Sequence, residues 1–190
     1  SYAYKPDQKI KMIAMGKRLK ISSLRQIFMT QLQQEFFPVQ LDNMGAEFEF
    51  IQPPTMKQKF VNATVTVARQ NHPGGSYGYR FEYDNHVLVI CTDVEHQNKI
   101  DERIEKLADG ADILVHDAQY TKEELVYKRG WGHSSCEQAM EVAERANVKQ
   151  LILTHHDPDH DDEFLRKIEK KCQDRFKDTL LAREKMEVSP

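Results

Sequence analysis

The spacing of apolar side chains changes period once along this chain, and that change confines it to one class of fold. Residues 46–51 (AEFEFI), 60–68 (FVNATVTVA), 77–83 (YGYRFEY) and 86–92 (HVLVICT) alternate with the period of two expected of half-buried strands. Asp84 and Asn85, between the last two, are a good hairpin-turn pair, so this stretch reads as antiparallel. From residue 99 onward the chain reads helix, strand, helix, strand. Ile100, Ile104 and Leu107 lie on one helical face over 99–110, and Gly110 is placed to end that helix. Residues 111–118 and 148–154 are apolar strands, and 121–128, 134–147 and 162–176 are helices. Two of these helices open with capping-box spacing, Thr121 with Glu124 and Ser134 with Glu137. Strands first, then alternating helices and strands, predict a layered α/β domain.

The segment before residue 46 adds a short strand through Ile10 and Met12 and a helix over 22–37. Ser22 or Ser23 would cap that helix, Leu24, Ile27, Phe28 and Leu32 would form its apolar face, and Pro38 would end it. A Pro53-Pro54 break follows the strand at 46–51. With no repeat, low-complexity tract or linker, residues 1–190 read as a single domain or part of a larger one.

The polar chemistry gathers where the expected strands end. His72 follows one strand in RQNHPGG, Asp93 another in CTDVEH, and His116 and Asp117 a third in HDAQYT. His133 precedes a helix in GWGHSS. The run LILTHHDPDH ends a strand in His155 and His156 and continues through Asp157, Asp159, His160 and Asp161. Each has an ordinary structural explanation: a turn for Asp93, a helix-cap region for His133, a satisfied core position for His116, a polar turn and helix start for 157–161. His86 and His96 read as turn or surface residues, and Tyr77, Tyr79, Phe81 and Tyr83 as cross-strand packing. His, Asp and His at separate strand exits of one α/β domain nevertheless point to a pocket. Imidazole and carboxylate donors are what a hydrolytic metal ion needs.

Charge and cysteine usage narrow the remaining classes. With 27 basic and 30 acidic residues the net charge is −3, so a broad nucleic-acid surface is not indicated, although MGKRLK (15–20) is a local basic cluster. Three cysteines without a CxxC pair suit a reducing compartment, and no apolar run has transmembrane length. A cytoplasmic protein that does not engage membranes is the expectation. The chain opens on Ser1 rather than Met, which leaves room for a preceding segment in the natural protein.

Taken in order, NHPGGSYGYRFEY, VICTDVEH, ILVHDAQYT, GWGHSS and LILTHHDP resemble the metallo-β-lactamase superfamily, in the branch containing ribonuclease Z and cyclic-nucleotide phosphodiesterase-like hydrolases. The resemblance runs over nearly the whole chain. It implies an αββα sandwich and a dinuclear centre, with zinc as the expected metal and manganese or iron as substitutes. It makes His72 and His155 metal ligands and Asp93 the bridging carboxylate, with Asp117 its competitor for that role. His133 would face the scissile phosphate and assist the leaving group, and His116 and Asp117 would lie in the segment behind the ligands. The family's His-x-His-x-Asp-His signature is nowhere in these 190 residues. The resemblance therefore implies a C-terminal portion, incomplete at its N-terminal side, that is inactive and self-associating alone. The expected substrate is a phosphodiester. Carboxylic-ester, thioester or lactam hydrolysis and a non-catalytic binding or scaffold module are the alternatives.

Overall fold

The structure, a computed structural model, describes residues 2–15, 23–51 and 55–189. Ser22, the Pro53-Pro54 break and all of the basic cluster beyond Met15 lie outside the described residues. The chain forms two compact units, residues 1–56 and 57–190.

The first unit contains strand β1 (Lys9–Ile13), helix α1 (Ser23–Gln31) and strand β2 (Glu47–Ile51). β1 and β2 pair in parallel, contrary to the antiparallel expectation for the N-terminal strands. Local alternation sets which side chains share a face but carries no information on strand direction. In this register Lys9 meets Glu47 and Lys11 meets Glu49, at 2.8 and 3.5 Å, while Ile10 and Met12 pair with Phe48 and Phe50. Helix α1 is shorter than the expected 22–37, because the backbone leaves it for turns at Gln33.

The second unit is built on one seven-stranded sheet in sequence order: β3 (Lys57–Lys59), β4 (Ala63–Gln70), β5 (Ser76–Tyr83), β6 (His86–Cys91), β7 (Ile113–Asp117), β8 (Gln150–Thr154) and β9 (Thr179–Leu181). Strands β3 to β6 run antiparallel and β6 to β9 parallel. Asp84 and Asn85 both have positive φ, 49° and 64°, as a type I′ hairpin turn demands. The parallel half is joined through helices α2 (Glu102–Ala108), α3 (Lys122–Leu125), α4 (Cys136–Arg145) and α5 (Asp162–Arg175).

One face of the sheet carries the core. Val89, Cys91, Leu114, Leu151 and Leu153 pack with Ile104 and Leu107 of α2 and with Cys136, Ala139, Met140 and Ala143 of α4. The α4 residues recur at three- and four-residue intervals, the stripe of a one-sided helix. Gly78 is required where α2 crosses β5, since a Cβ there would come within 2.6–2.9 Å of Gln70, Cys91 and Leu107. Thr121 and Glu124 form the expected capping box, but α4 is capped by Ser135 with Gln138 rather than by Ser134 with Glu137. Ser134 is drawn inward instead, its hydroxyl donating to Val94 O. Among the described residues no helix is long and apolar enough to cross a membrane.

Candidate functional site

Strand register brings the chemistry together. Cys91 lies beside His116 and Asp117 beside Thr154, so Asp93, Asp117 and His155 leave the sheet at the same carboxyl edge. The β4 exit reaches that edge because β4 and β5 reverse direction there, Gln70 pairing with Ser76. Carboxyl ends of parallel strands are the usual seat of ligand pockets in such sheets. Both Asp93 and His155 sit in the left-handed region, at φ 55° and 66°. Backbone strain of that kind in non-glycine residues gathers at functional sites.

The Asp93 turn is clamped from beneath. Ser76 Oγ donates to Asp93 O at 2.6 Å, buried Gln70 donates to Thr92 O at 2.6 Å, and Asp93 N donates to Asp117 Oδ2 at 3.1 Å. Asp117 is fully buried. Its other oxygen accepts from Ser134 N at 3.0 Å and Gln119 N at 3.3 Å, and Oδ2 also receives His133 Nδ1–H at 2.8 Å. With Nδ1 committed, His133 keeps Nε2 for a substrate or an ion.

Among the described residues two groups have donor atoms within 4.8 Å of one another: His72, Asp93 and His133, and Asp117, His133 and His155. His72 Nε2 is 3.9 Å from Asp93 Oδ1, and His155 Nδ1 is 3.8 Å from Asp117 Oδ2. His133 belongs to both groups, its ring centroid 5.8 Å from that of His72 and 4.6 Å from that of His155. Of the three ligands expected from the sequence, His72 and Asp93 thus fall in one group and His155 in the other, with Asp117, and His133 is common to both. Asp93 has the half-open carboxylate, whereas the Asp117 oxygens are taken up by hydrogen bonds.

The loop carrying His133 is tied down by hydrogen bonds and close packing. Buried Glu95 accepts Gly130 N at 2.8 Å and Gly132 N at 2.9 Å. Gly132, at φ 99°, lies so close to His72 that a Cβ would stand 2.2 Å from its Cδ2. Behind it, Tyr120 pairs with Ser135 in a parallel bridge and sets its ring edge-on to His133 at 6.2 Å.

His96 departs from its reading as a turn or surface residue, being 2% exposed. Its Nδ1 accepts Asp101 N at 3.2 Å, so Nε2 carries the proton and donates to His116 Nε2 at 3.2 Å. His116 in turn donates from Nδ1 to Asp117 O at 2.7 Å. The chain of bonds needs both rings neutral, and burial pushes His96 down to about 3 and lowers His116 as well. His116 is therefore a satisfied core histidine. The acidic run after His155 is also structural: Asp157 accepts Asp159 N, Asp161 caps α5 by accepting Phe164 N, and His160 bonds Glu124 at 2.9 Å. The sequence had signalled neither Glu95 nor His96, whose roles depend on loops distant along the chain.

Residues 11–156 match the model of the beta-lactamase superfamily domain. A ribonuclease Z of Bacillus velezensis is 36% identical over 46% of this chain and 29% of its own length. Human tRNase Z, short form, shares the fold at a TM-score of 0.67 and 16% identity, covering 96% of this chain and 67% of that one. The metallo-β-lactamase fold protein YhfI of Bacillus subtilis does so at 0.64 and 18% identity, over 91% of this chain and 63% of that one. The chain belongs to the metallo-β-lactamase superfamily. Its matches to the curated ribonucleases Z span about a quarter to a third of their length. The α/β fold expected from the alternation of elements is that of the family.

Proposed function

We propose that this chain is the C-terminal portion of one metallo-β-lactamase-like domain, in a cytoplasmic hydrolase that cleaves phosphodiester bonds. The observation that carries the reading is the Asp117–His133 pair. A fully buried carboxylate holds Nδ1–H of an imidazole whose Nε2 remains free, beside His72, Asp93 and His155. The relatives named as ribonuclease Z support a phosphodiester as the substrate class. The cytoplasmic setting is consistent with three free, buried thiols.

His72, Asp93 and His155 are the metal ligands in this reading, and their neutral nitrogen and anionic oxygen donors suit zinc, with manganese or iron as substitutes. Bound there, the metal supplies Lewis acidity and a nucleophile at neutral pH. Asp117 accepts His133 Nδ1–H and would stabilise the imidazolium, and in that doubly protonated form His133 would donate the Nε2 proton to the leaving oxygen and return to the neutral ring. Three donors fall short of what two ions need. The remaining ligands are assigned to a His-x-His-x-Asp-His segment of the parent protein. By itself residues 1–190 are then inactive, weakly zinc-binding and prone to self-associate.

The test compares the full-length protein with residues 1–190 for bound metal, sedimentation and hydrolysis of bis-p-nitrophenyl phosphate against carboxyl esters. Full-length protein should carry metal and favour the phosphodiester, and His133→Ala should lower kcat about 100-fold or more while bound metal stays near wild type. Faster turnover of carboxyl esters would replace the substrate class. A metal-free, inert full-length protein would make the chain a binding module, and metal loss in His133→Ala would make His133 a ligand.

A further inference from the structure

Trp131 stands between the two glycines that Glu95 clamps, and it remains 59% exposed. An indole left in water costs solubility and gains nothing for the core, yet here two charge-assisted hydrogen bonds and two positive-φ glycines, Gly130 at 83° and Gly132 at 99°, hold it in place. The same loop places Gly132 against His72 and reaches His133 two residues after Trp131, so the backbone that carries the indole borders the candidate site. Lys128 lies over the indole with its ammonium 4.3 Å from the ring centroid, and 5.8 Å from that of Tyr120. Tyr127, next to it, is 85% exposed.

An exposed aromatic ring on a hydrogen-bonded loop, beside a cation, is the combination by which unpaired nucleobases and their phosphates are held. We propose that Trp131 is a specificity-determining residue: it stacks on the nucleobase adjoining the scissile bond, and Lys128 pairs with that nucleotide's phosphate. The substrates would then be nucleoside-bearing phosphodiesters, and the weak overall charge fits recognition of one or two nucleotides rather than of a long duplex. The inference rests on the phosphodiesterase reading above and narrows it.

Two esters with the same leaving group test it on the full-length protein: thymidine 5′-p-nitrophenyl phosphate and methyl p-nitrophenyl phosphate. Wild type should prefer the thymidine ester in kcat/KM. Trp131→Ala should reduce that preference about five-fold or more, and Trp131→Phe should keep most of it. An unchanged ratio in Trp131→Ala overturns the proposal. So does an equal loss on both esters, which would make the ring a buttress for the His133 loop. If wild type hydrolyses neither ester, the phosphodiesterase reading fails separately, and calorimetry with AMP and ribose 5-phosphate decides the stacking. Tighter binding of AMP, lost in Trp131→Ala, sustains the platform, and equal affinities end it.

Discussion

The two units of the chain spend their apolar residues differently. Residues 57–190 bury theirs in one continuous cluster between the sheet and helices α2, α4 and α5. In residues 1–56 only Met15, Leu41 and Ala46 are buried hydrophobics among the described residues, while Tyr2, Ile27 and Phe36 are exposed. A two-stranded sheet with a nine-residue helix cannot enclose a core of its own. The contrast explains where the site is found. Every residue of the candidate centre projects from the unit with the core, because donor atoms held to within tenths of an ångström need packed elements beneath them.

The sharpest way to break the comparison is to cut into each unit. Leu151 is fully buried at the centre of the cluster, so Leu151→Ala should destabilise by about 2–5 kcal/mol and lower the thermal midpoint by on the order of 10 °C. A loss of less than about 1 kcal/mol would mean that the cluster is loosely packed.

Acid should discriminate the units next. The folded value of His96, about 3, lies below its ordinary 6.5, so between these pH values the unfolded chain binds a proton that the folded chain does not. Stability is therefore full above pH 6.5 and falls as pH drops through that window, by about 1.4 kcal/mol per unit for one histidine. Urea unfolding at pH 7 and pH 5 measures the slope. His96→Gln should reduce it, with His116, which burial also lowers, supplying the remainder, and an unchanged slope would mean that other groups govern acid sensitivity.

The smallest effect belongs to the first unit. Phe36 is 73% exposed, and Phe36→Ala should change stability by less than about 0.5 kcal/mol in the same urea experiment. A cost comparable with that of Leu151→Ala would show that the unit relies on Phe36 and that the contrast is misplaced.

Much of the fold was legible because it follows from local periodicity. Strands β4 to β6 and the apolar runs of β7 and β8 came from alternation and composition, and α2, α4 and α5 from helical spacing and caps. β3 and β9, with three residues each, are too short to show any period. The choice of Ser135 over Ser134 as the α4 cap could not be local either, since Ser134 N and Oγ are claimed by Asp117 and Val94. His96 misled for the same reason: a histidine after a strand gives no sign that a second histidine, 20 residues away, will close over it.

The sequence by itself determined that His72, Asp93, Asp117 and His155 would stand at strand ends, because the period of apolar residues says where each strand stops. Only the tertiary structure decided that those ends coincide, through the parallel register of Cys91 with His116 and Asp117 with Thr154. It also decided which carboxylate does what. Asp93 and Asp117 are both aspartates following apolar runs, but one is half-open beside His72 and the other is buried beneath His133 with both oxygens occupied. That difference is one of burial and hydrogen-bond partners contributed by residues distant in the chain, and no local pattern encodes it.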